Sequence, residues 1–254
     1  MTENTASREL SGQVALVTGS GRNIGRAIAL ALSAGGAAVA VNTRASRDAV
    51  ESVAHEIRES GGRAAVFMAD VSDAAQVKAM VEGIWHAFGR LDILVLNASV
   101  RQEVPFLDMA FEEWRRTMAL SLDGAFHCIK ACLPAMIEAG GGNIVALTGD
   151  NAVTGAVGKV HSSAAKSGLA GMARALAKEL ARHRIRVNCV SPGHINTARA
   201  ANRAPRPGAA GLVPLGRYGE PEEIAATVRF LCGPGAGYIT GQHIHVSGGM
   251  YMPS

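Results

Sequence analysis

Ser162 and Lys166 stand four residues apart in a chain of 254 residues. On a helix that spacing sets a hydroxyl and an ammonium on one face, a turn from each other. Such a pair can hold a ligand and move a proton. It also suits an ordinary solvated helix of Ala, Ser and Lys, so the pair alone decides nothing. The surrounding stretch, residues 144–170, opens as an apolar run, breaks at Gly149 into a loop holding Asp150, Asn151 and Thr154, and re-enters a helix. Asp150 reads either as a carboxylate near a substrate or as a loop cap. His161 has the intrinsic pKa of a proton carrier, but adjacent helix positions point about 100° apart, so it also reads as a structural or interface histidine facing away. Lys166 becomes a donor in its own right if desolvation lowers its pKa.

These residues need a frame, and the rest of the chain alternates strand and helix to supply one. Short apolar strands are predicted at 13–18, 37–42, 64–70, 92–97, 143–148, 186–190 and 243–246. Between them lie helical segments: one from Ile24 to the Gly35-Gly36 stop, then 48–59, 74–88, 111–139 with a break or fresh start expected at Pro134, the Ser162 helix running to about 181, and 221–232. Nearly all-apolar strands in this alternation imply an α/β fold, a doubly wound parallel sheet with helices on both faces. No linker and no repeat divides residues 1–254, which read as a single domain.

Composition narrows the function. The 25 Lys and Arg against 21 Asp and Glu give a formal charge of +4, spread without a basic run, so no nucleic-acid partner is expected and anionic ligands are compatible. Cys128, Cys132, Cys189 and Cys232 form no CxxC pair and no Cys/His spacing, so no metal is expected either. The polar first residues lack the features of a signal peptide, and no run of about 18 apolar residues is evident. The expectation is a cytoplasmic protein without a membrane partner.

In a sheet of this kind ligands bind beyond the carboxyl ends of the strands, and phosphate suits the first turn, where a helix N-terminus offers free N–H groups. That turn, Thr18-Gly19-Ser20-Gly21-Arg22-Asn23-Ile24-Gly25, resembles the TGxxxGIG turn of the short-chain dehydrogenases/reductases. Asp70-Val71, Asn97-Ala98, Pro192-Gly193 with Thr197, and the C-terminal YITGQHIHVSGG match the same family in order, over about residues 10–252. The chain is similar to its 3-oxoacyl-[acyl-carrier-protein] reductase branch. The resemblance implies a Rossmann fold and a dinucleotide held by Gly19, Ser20, Arg22, Asn23, Ile24, Gly25, Arg44, Asp70, Val71, Asn97, Ala98, Ser99, Lys166, Pro192, Gly193, Ile195 and Thr197. Arg44 stands where an acid would favour NAD(H), and Arg22 where NADP-using members often carry a basic residue, so NADP(H) is expected rather than NAD(H). Asn23 replaces the middle glycine of the turn; Asn tolerates a left-handed backbone. Ser99 and Leu96 also depart from the family's NNAG loop.

The catalytic pattern departs further. The family couples hydride transfer to a YxxxK tyrosine, with a serine that orients the substrate carbonyl and an asparagine that anchors a relay water. Lys166 matches the lysine, but Ser162 stands at the tyrosine position, Gly149 at the serine and Ser121 at the asparagine. A serine hydroxyl is far less acidic than a phenol of pKa about 10, so ordinary carbonyl reduction is expected to be weak. The family's 2,4-dienoyl-CoA reductase group also carries SxxxK, adding an Asn and a Tyr from places that hold Ser121 and Asn151 here. Residues 198–213 match the family's substrate lid; Arg199, Arg203 and Arg206 there, with Arg101, are candidate clamps for an anionic small-molecule or acyl-carrier-linked substrate. The expectation is an NADP(H)-binding oxidoreductase whose non-standard relay uses Lys166, Ser162, Asp150 and Ser121. An inactive nucleotide-binding relative and a non-redox lyase or isomerase are the alternatives. Residues 111–139 and 160–181 match the family's pairing helices, which implies a homotetramer.

Overall fold

The computed structural model describes residues 8–197 and 209–253. Among them seven strands form one all-parallel sheet in the order β3-β2-β1-β4-β5-β6-β7: β1 Val14–Val17, β2 Ala38–Thr43, β3 Ala64–Met68, β4 Ile93–Leu96, β5 Gly142–Leu147, β6 Ile185–Pro192 and β7 His243–Val246. The helices between them are α1 Asn23–Ala34, α2 Arg47–Glu59, α3 Ala74–Phe88, α4 Phe111–Met118, α5 Gly124–Glu138, α6 Asn151–Thr154, α7 Val160–Leu180 and α8 Pro221–Cys232.

Strand side chains alternate between two cores because the period of a strand is two. Leu16, Leu94, Ile144 and Ala146 face α3, α5 and α7, meeting Ile84, Cys132, Met136 and Leu169. Val17, Val95, Val145 and Leu147 face α1, α2 and α8, meeting Ile28, Leu32, Ile57 and Val228. Both faces are covered, which is why the strands read as unbroken apolar runs. The order reverses between β1 and β4, and the loops leaving those two strands open a crevice at their carboxyl ends.

The expected break at Pro134 does not occur. Pro134 lies inside α5 on its exposed side, and Lys130, whose carbonyl loses its helical partner, is exposed as well, so water can satisfy the freed group. The irregularity falls earlier, at a π turn over Ala119–Asp123 that directs Ser121 inward. The run Phe111–Glu138 is long and apolar enough by composition to cross a bilayer. Cys128, Ile129, Cys132 and Met136 nevertheless pack into the sheet core. The third strand ends at Met68, short of 70, because Asp70 N–H bonds to Gln76 and the chain turns there. All four cysteines are buried and free; burial pushes the Cys128, Cys189 and Cys232 thiols up to about 12 and Cys132 well above its ordinary value. No cluster with metal-ligating potential occurs among the described residues.

Gly25 shows how tightly α1 seats on the first turn. A Cβ there would lie 2.3 Å from the Gly19 carbonyl oxygen and 2.5 Å from the Asn97 amide nitrogen. Gly25→Ala is expected to lower stability by about 1–3 kcal/mol through overpacking, read as a fall in the urea midpoint at unchanged slope.

Candidate active site

The turn between β1 and α1 is fastened from two sides. Thr18 is 1% exposed; its hydroxyl donates to the Val95 carbonyl at 3.2 Å and accepts from the N–H groups of Asn97 at 3.0 Å and Ala98 at 3.1 Å. The Asn97 amide donates in return to the carbonyls of Thr18 at 3.0 Å and Gly19 at 2.9 Å. On the other side Asn42, also buried, accepts from Gly19 N–H at 3.4 Å and donates to the carbonyls of Phe67 and Ala69, and its own N–H bonds to Ser20 Oγ at 2.9 Å. Ser20 and Asn97, predicted as ligand groups, therefore direct their polar atoms into the frame of the turn. Asn42 was passed over in the sequence; its signal was a lone amide inside an apolar strand.

The crevice side of this turn suits a pyrophosphate. Helix α1 has no acidic residue in its first turn and its N-cap residue, Arg22, makes no side-chain cap, so the positive end of the helix dipole faces the crevice. Gly19 and Asn23 take left-handed conformations, with φ of 64° and 50°, as the Asn substitution led us to expect. Arg22 and Arg44 are exposed beside it. Arg44 pairs with Asp70 at 3.3 Å, and an exposed pair of this kind is worth under about 1 kcal/mol, so the guanidinium can turn to another anion at little cost. Burial pushes the Asp70 carboxyl up, but hydrogen bonds from Ser72 and Arg44 outweigh it and leave the carboxyl below its ordinary value.

Val71 and Ala98 line the crevice floor, whereas Ser99 is exposed above it. The far wall is the chain after β6. Gly193 lies so close to Ser247 that a Cβ would come within 2.7 Å of its Cα, Gly193 N–H bonds to Val246, and Ile195 bridges to Gly219. Arg101 crosses from the β4 loop to Thr197, Nη1 to Oγ1 at 3.0 Å, joining the two walls. Arg199, Arg203, Arg206 and most of the expected 198–213 lid lie outside the described residues.

Helix α7 brings Lys166 to the floor of this cleft. The side chain is buried and Nζ donates to the Leu147 carbonyl at 2.6 Å. Burial pulls its pKa down to about 8, with Cys189 opposing and Arg101 reinforcing the shift. Ser121 comes to the same place from the π turn. With Thr18, Val71, Gly124 and Cys128, these two residues line a cavity of about 10 Å³, near the size that admits one water.

Ser162 is bonded by a residue outside the predicted site. Asn151 Nδ2 lies 3.3 Å from Ser162 Oγ and 3.4 Å from Ser163 Oγ. Asp150 caps α6, its Oδ1 accepting from Asn151 N–H at 2.8 Å. His161 is 1% exposed and packs towards Glu113 and Arg116 of α4; burial lowers its pKa, against the pull of Glu113. It therefore faces away from the Ser162 side of α7. A further wall went unanticipated. Thr148 Oγ1 lies 2.8 Å from His243 Nε2, the His243 ring sits 4.5 Å from His245, and His245 sits 4.5 Å from Tyr251. Burial, with His245 and Arg174 nearby, pushes His243 down to about 4. The sequence signal was the alternating pair of histidines on a strand.

A parallel sheet with a glycine turn at its switch point and a buried lysine on the helix after β5 defines a class of nucleotide-dependent enzymes. A family model described as Enoyl-(Acyl carrier protein) reductase matches residues 19–251, and the chain belongs to the short-chain dehydrogenase/reductase family. It is an oxidoreductase of that family. Among its relatives are the 3-oxoacyl-[acyl-carrier-protein] reductase of Synechocystis, 42% identical over 244 residues (96% of this chain, 98% of the relative), and that of Staphylococcus aureus, 40% identical over 240 residues (94% and 98%). A crystal structure of a dehydrogenase/reductase from Sinorhizobium meliloti 1021 matches with a TM-score of 0.91 at 32% identity, covering 99% of this chain and 100% of that one.

The buried lysine has a measurable signature. Folded Lys166 releases its proton near pH 8, whereas the ordinary lysine value is 10.5. Between these values the unfolded chain binds more protons, so the stability contributed at this residue rises with pH across that window and is lost as pH falls through about 8. Urea midpoints measured across the window should show wild type gaining on Lys166→Met by an amount of the order of 3 kcal/mol; parallel curves would mean a solvated lysine.

Proposed function

We propose that the chain is an NADP(H)-dependent reductase with a non-standard proton relay, acting on a small-molecule or acyl-carrier-linked carbonyl compound or activated alkene. The observation that carries this reading is Lys166, a buried amine with one acceptor among the described residues, held at the floor of a crevice whose rim bears the α1 N-terminus and two exposed arginines. The names of the relatives and of the family model, 3-oxoacyl and enoyl reduction, both concern acyl chains on acyl carrier protein and support that substrate class.

The bound cofactor supplies the hydride. Gly19, Arg22, Asn23, Ile24 and Gly25 seat the pyrophosphate on the α1 N-terminus, Arg44 takes the 2′-phosphate, and Asp70 and Val71 flank the adenine. Ala98, Ser99 and the residues from Pro192 to Thr197 would hold the nicotinamide end, and Lys166 would bind the ribose. The Lys166 ammonium, present below about pH 8, feeds protons through the water-sized cavity it shares with Ser121. Asp150 and Ser162 shape the cleft mouth, and Arg101 clamps an anionic end of the substrate. The family resemblance supports a homotetramer, a single domain with a lid at 198–213, and a cytoplasmic enzyme; exposed Phe111 and Phe126 suit helix pairing between subunits.

Two measurements test this reading. Arg44→Asp should weaken NADPH binding by about 10- to 100-fold in a calorimetric titration, since it removes a charge-assisted contact worth about 1.5–3 kcal/mol, while NADH binding holds or improves. Lys166→Ala should abolish NADPH oxidation over a panel of ketones, imines and enones, and wild-type turnover should fall as pH rises through about 8. A flat pH profile or an active Lys166→Ala would remove the lysine relay.

A further inference from the structure

Thr148 stands between the two places where the cleft does its work. The residue before it, Leu147, gives its carbonyl to Lys166 Nζ at 2.6 Å, and the residue after it, Gly149, turns the chain at φ of 143° into the mouth. Strand β4 ends opposite Ala146, so the Leu147 carbonyl lies just past the end of that pairing and is set by what holds the next residue. Thr148 is held from the edge of the sheet. Its N–H donates to the Val190 carbonyl at 2.9 Å and its Oγ1 lies 3.1 Å from the same oxygen, on β6. A further contact crosses β6 altogether and comes from β7, where His243 Nε2 lies 2.8 Å from Thr148 Oγ1.

We propose that His243 is a positioning residue of the reaction, which acts through Thr148 to aim the Leu147 carbonyl at Lys166. The proposal rests on the reductase reading above, because it concerns the amine which that reading makes the proton donor. A threonine hydroxyl has one hydrogen to give. With that hydrogen on the Val190 carbonyl, the imidazole supplies the other, so His243 is held as the neutral tautomer with its hydrogen on Nε2. The surroundings keep the ring neutral. His245 stacks on it at 4.5 Å, Arg174 acts on it from α7, and together with burial they leave its pKa at about 4. Asp150 acts on His245 rather than on His243, and Tyr251 closes the stack against His245. The His243 ring therefore donates at every pH at which Lys166 titrates. The groups that act on the lysine itself are Cys189 from β6 and Arg101 from the loop after β4. Without the Nε2 donor, Thr148 Oγ1 is left with the Val190 carbonyl, the Leu147–Thr148 peptide tilts, and the Lys166 ammonium loses hold of its Leu147 acceptor. An ammonium with a poorer acceptor gives up its proton more readily, so its titration moves to lower pH.

His243→Leu is expected to lower kcat about tenfold and to move the fall of turnover from about pH 8 to about one pH unit lower. His243→Gln, whose amide nitrogen reaches where Nε2 stands, should restore both. Thr148→Val removes the same contact from the other end and serves as well should the leucine variant fail to fold. It should match His243→Leu, and the double variant should lose no more than either alone. A histidine that is only structural would lower the urea midpoint in His243→Leu and leave the fall at about pH 8. That result, a fall that moves upward, no rescue by glutamine, or losses that multiply in the double variant overturns the proposal and leaves the reductase reading standing. Two readouts need no turnover. Nitrogen NMR of the whole protein should find the His243 hydrogen on Nε2 at neutral pH, and should follow the Lys166 amine to a lower midpoint in His243→Leu and Thr148→Val. A hydrogen on Nδ1 or an unmoved lysine midpoint overturns the proposal. Wild type that neither binds nor oxidises NADPH would overturn the reductase reading instead, while the lysine midpoint still decides the role of His243.

Discussion

Thr18 and Asn97 join two segments 79 residues apart in the chain, and the crevice exists because they do. In a doubly wound sheet the loops after β1 and β4 leave in opposite directions, and nothing in the sheet itself holds their tips in register. Here one hydroxyl and one amide exchange hydrogen bonds with five backbone groups across the gap, and Asn42 ties the same turn to β2 and β3. Each of these polar groups is satisfied by the others, so removing one leaves partners unpaired at about 1–3 kcal/mol each. The network keeps the α1 N-terminus open towards the crevice before any ligand arrives, which lowers the ordering cost of binding.

A second constraint follows from where α7 lands. Its first turns rest against β5 and bury Lys166, with the Leu147 carbonyl as its acceptor among the described residues. Burial makes the ammonium easier to deprotonate, so the packing that fixes the amine in place also makes it a proton donor near neutrality. The loop before it is shaped to match: a left-handed Gly149, a capping Asp150 and one turn of helix set the mouth of the cleft around an amide.

Much of the fold was legible in the sequence because both faces of the sheet are covered. Strands such as Val14–Val17 and Ile93–Leu96 then carry apolar residues at every position, and the glycines mark the turns. The break at Pro134 was misplaced because a proline on the solvent side of a helix can stay in line, whereas the π turn at Ala119–Asp123 leaves no residue-type signature. At the site, Lys166 and the glycine turn were readable from type and spacing. Asn42 and Asn151 were not, since their roles depend on which groups a fold brings near them, a carbonyl 25 positions away for Asn42 and a hydroxyl 11 positions away for Asn151. Asp150 carried two readings, and the structure shows it as a cap.

The four sealed thiols settle how this chain meets oxidants. Oxidation of cysteine proceeds through the thiolate, and a sulfur held as a thiol inside the sheet core offers neither charge nor access. Among the described residues, peroxide arriving from solvent meets thioether sulfur instead at Met252, which is 78% exposed and lies one residue beyond Tyr251. The chemistry of ageing at this surface is therefore formation of methionine sulfoxide beside the His245–Tyr251 wall, a lesion that reductases can repair, and not disulfide exchange.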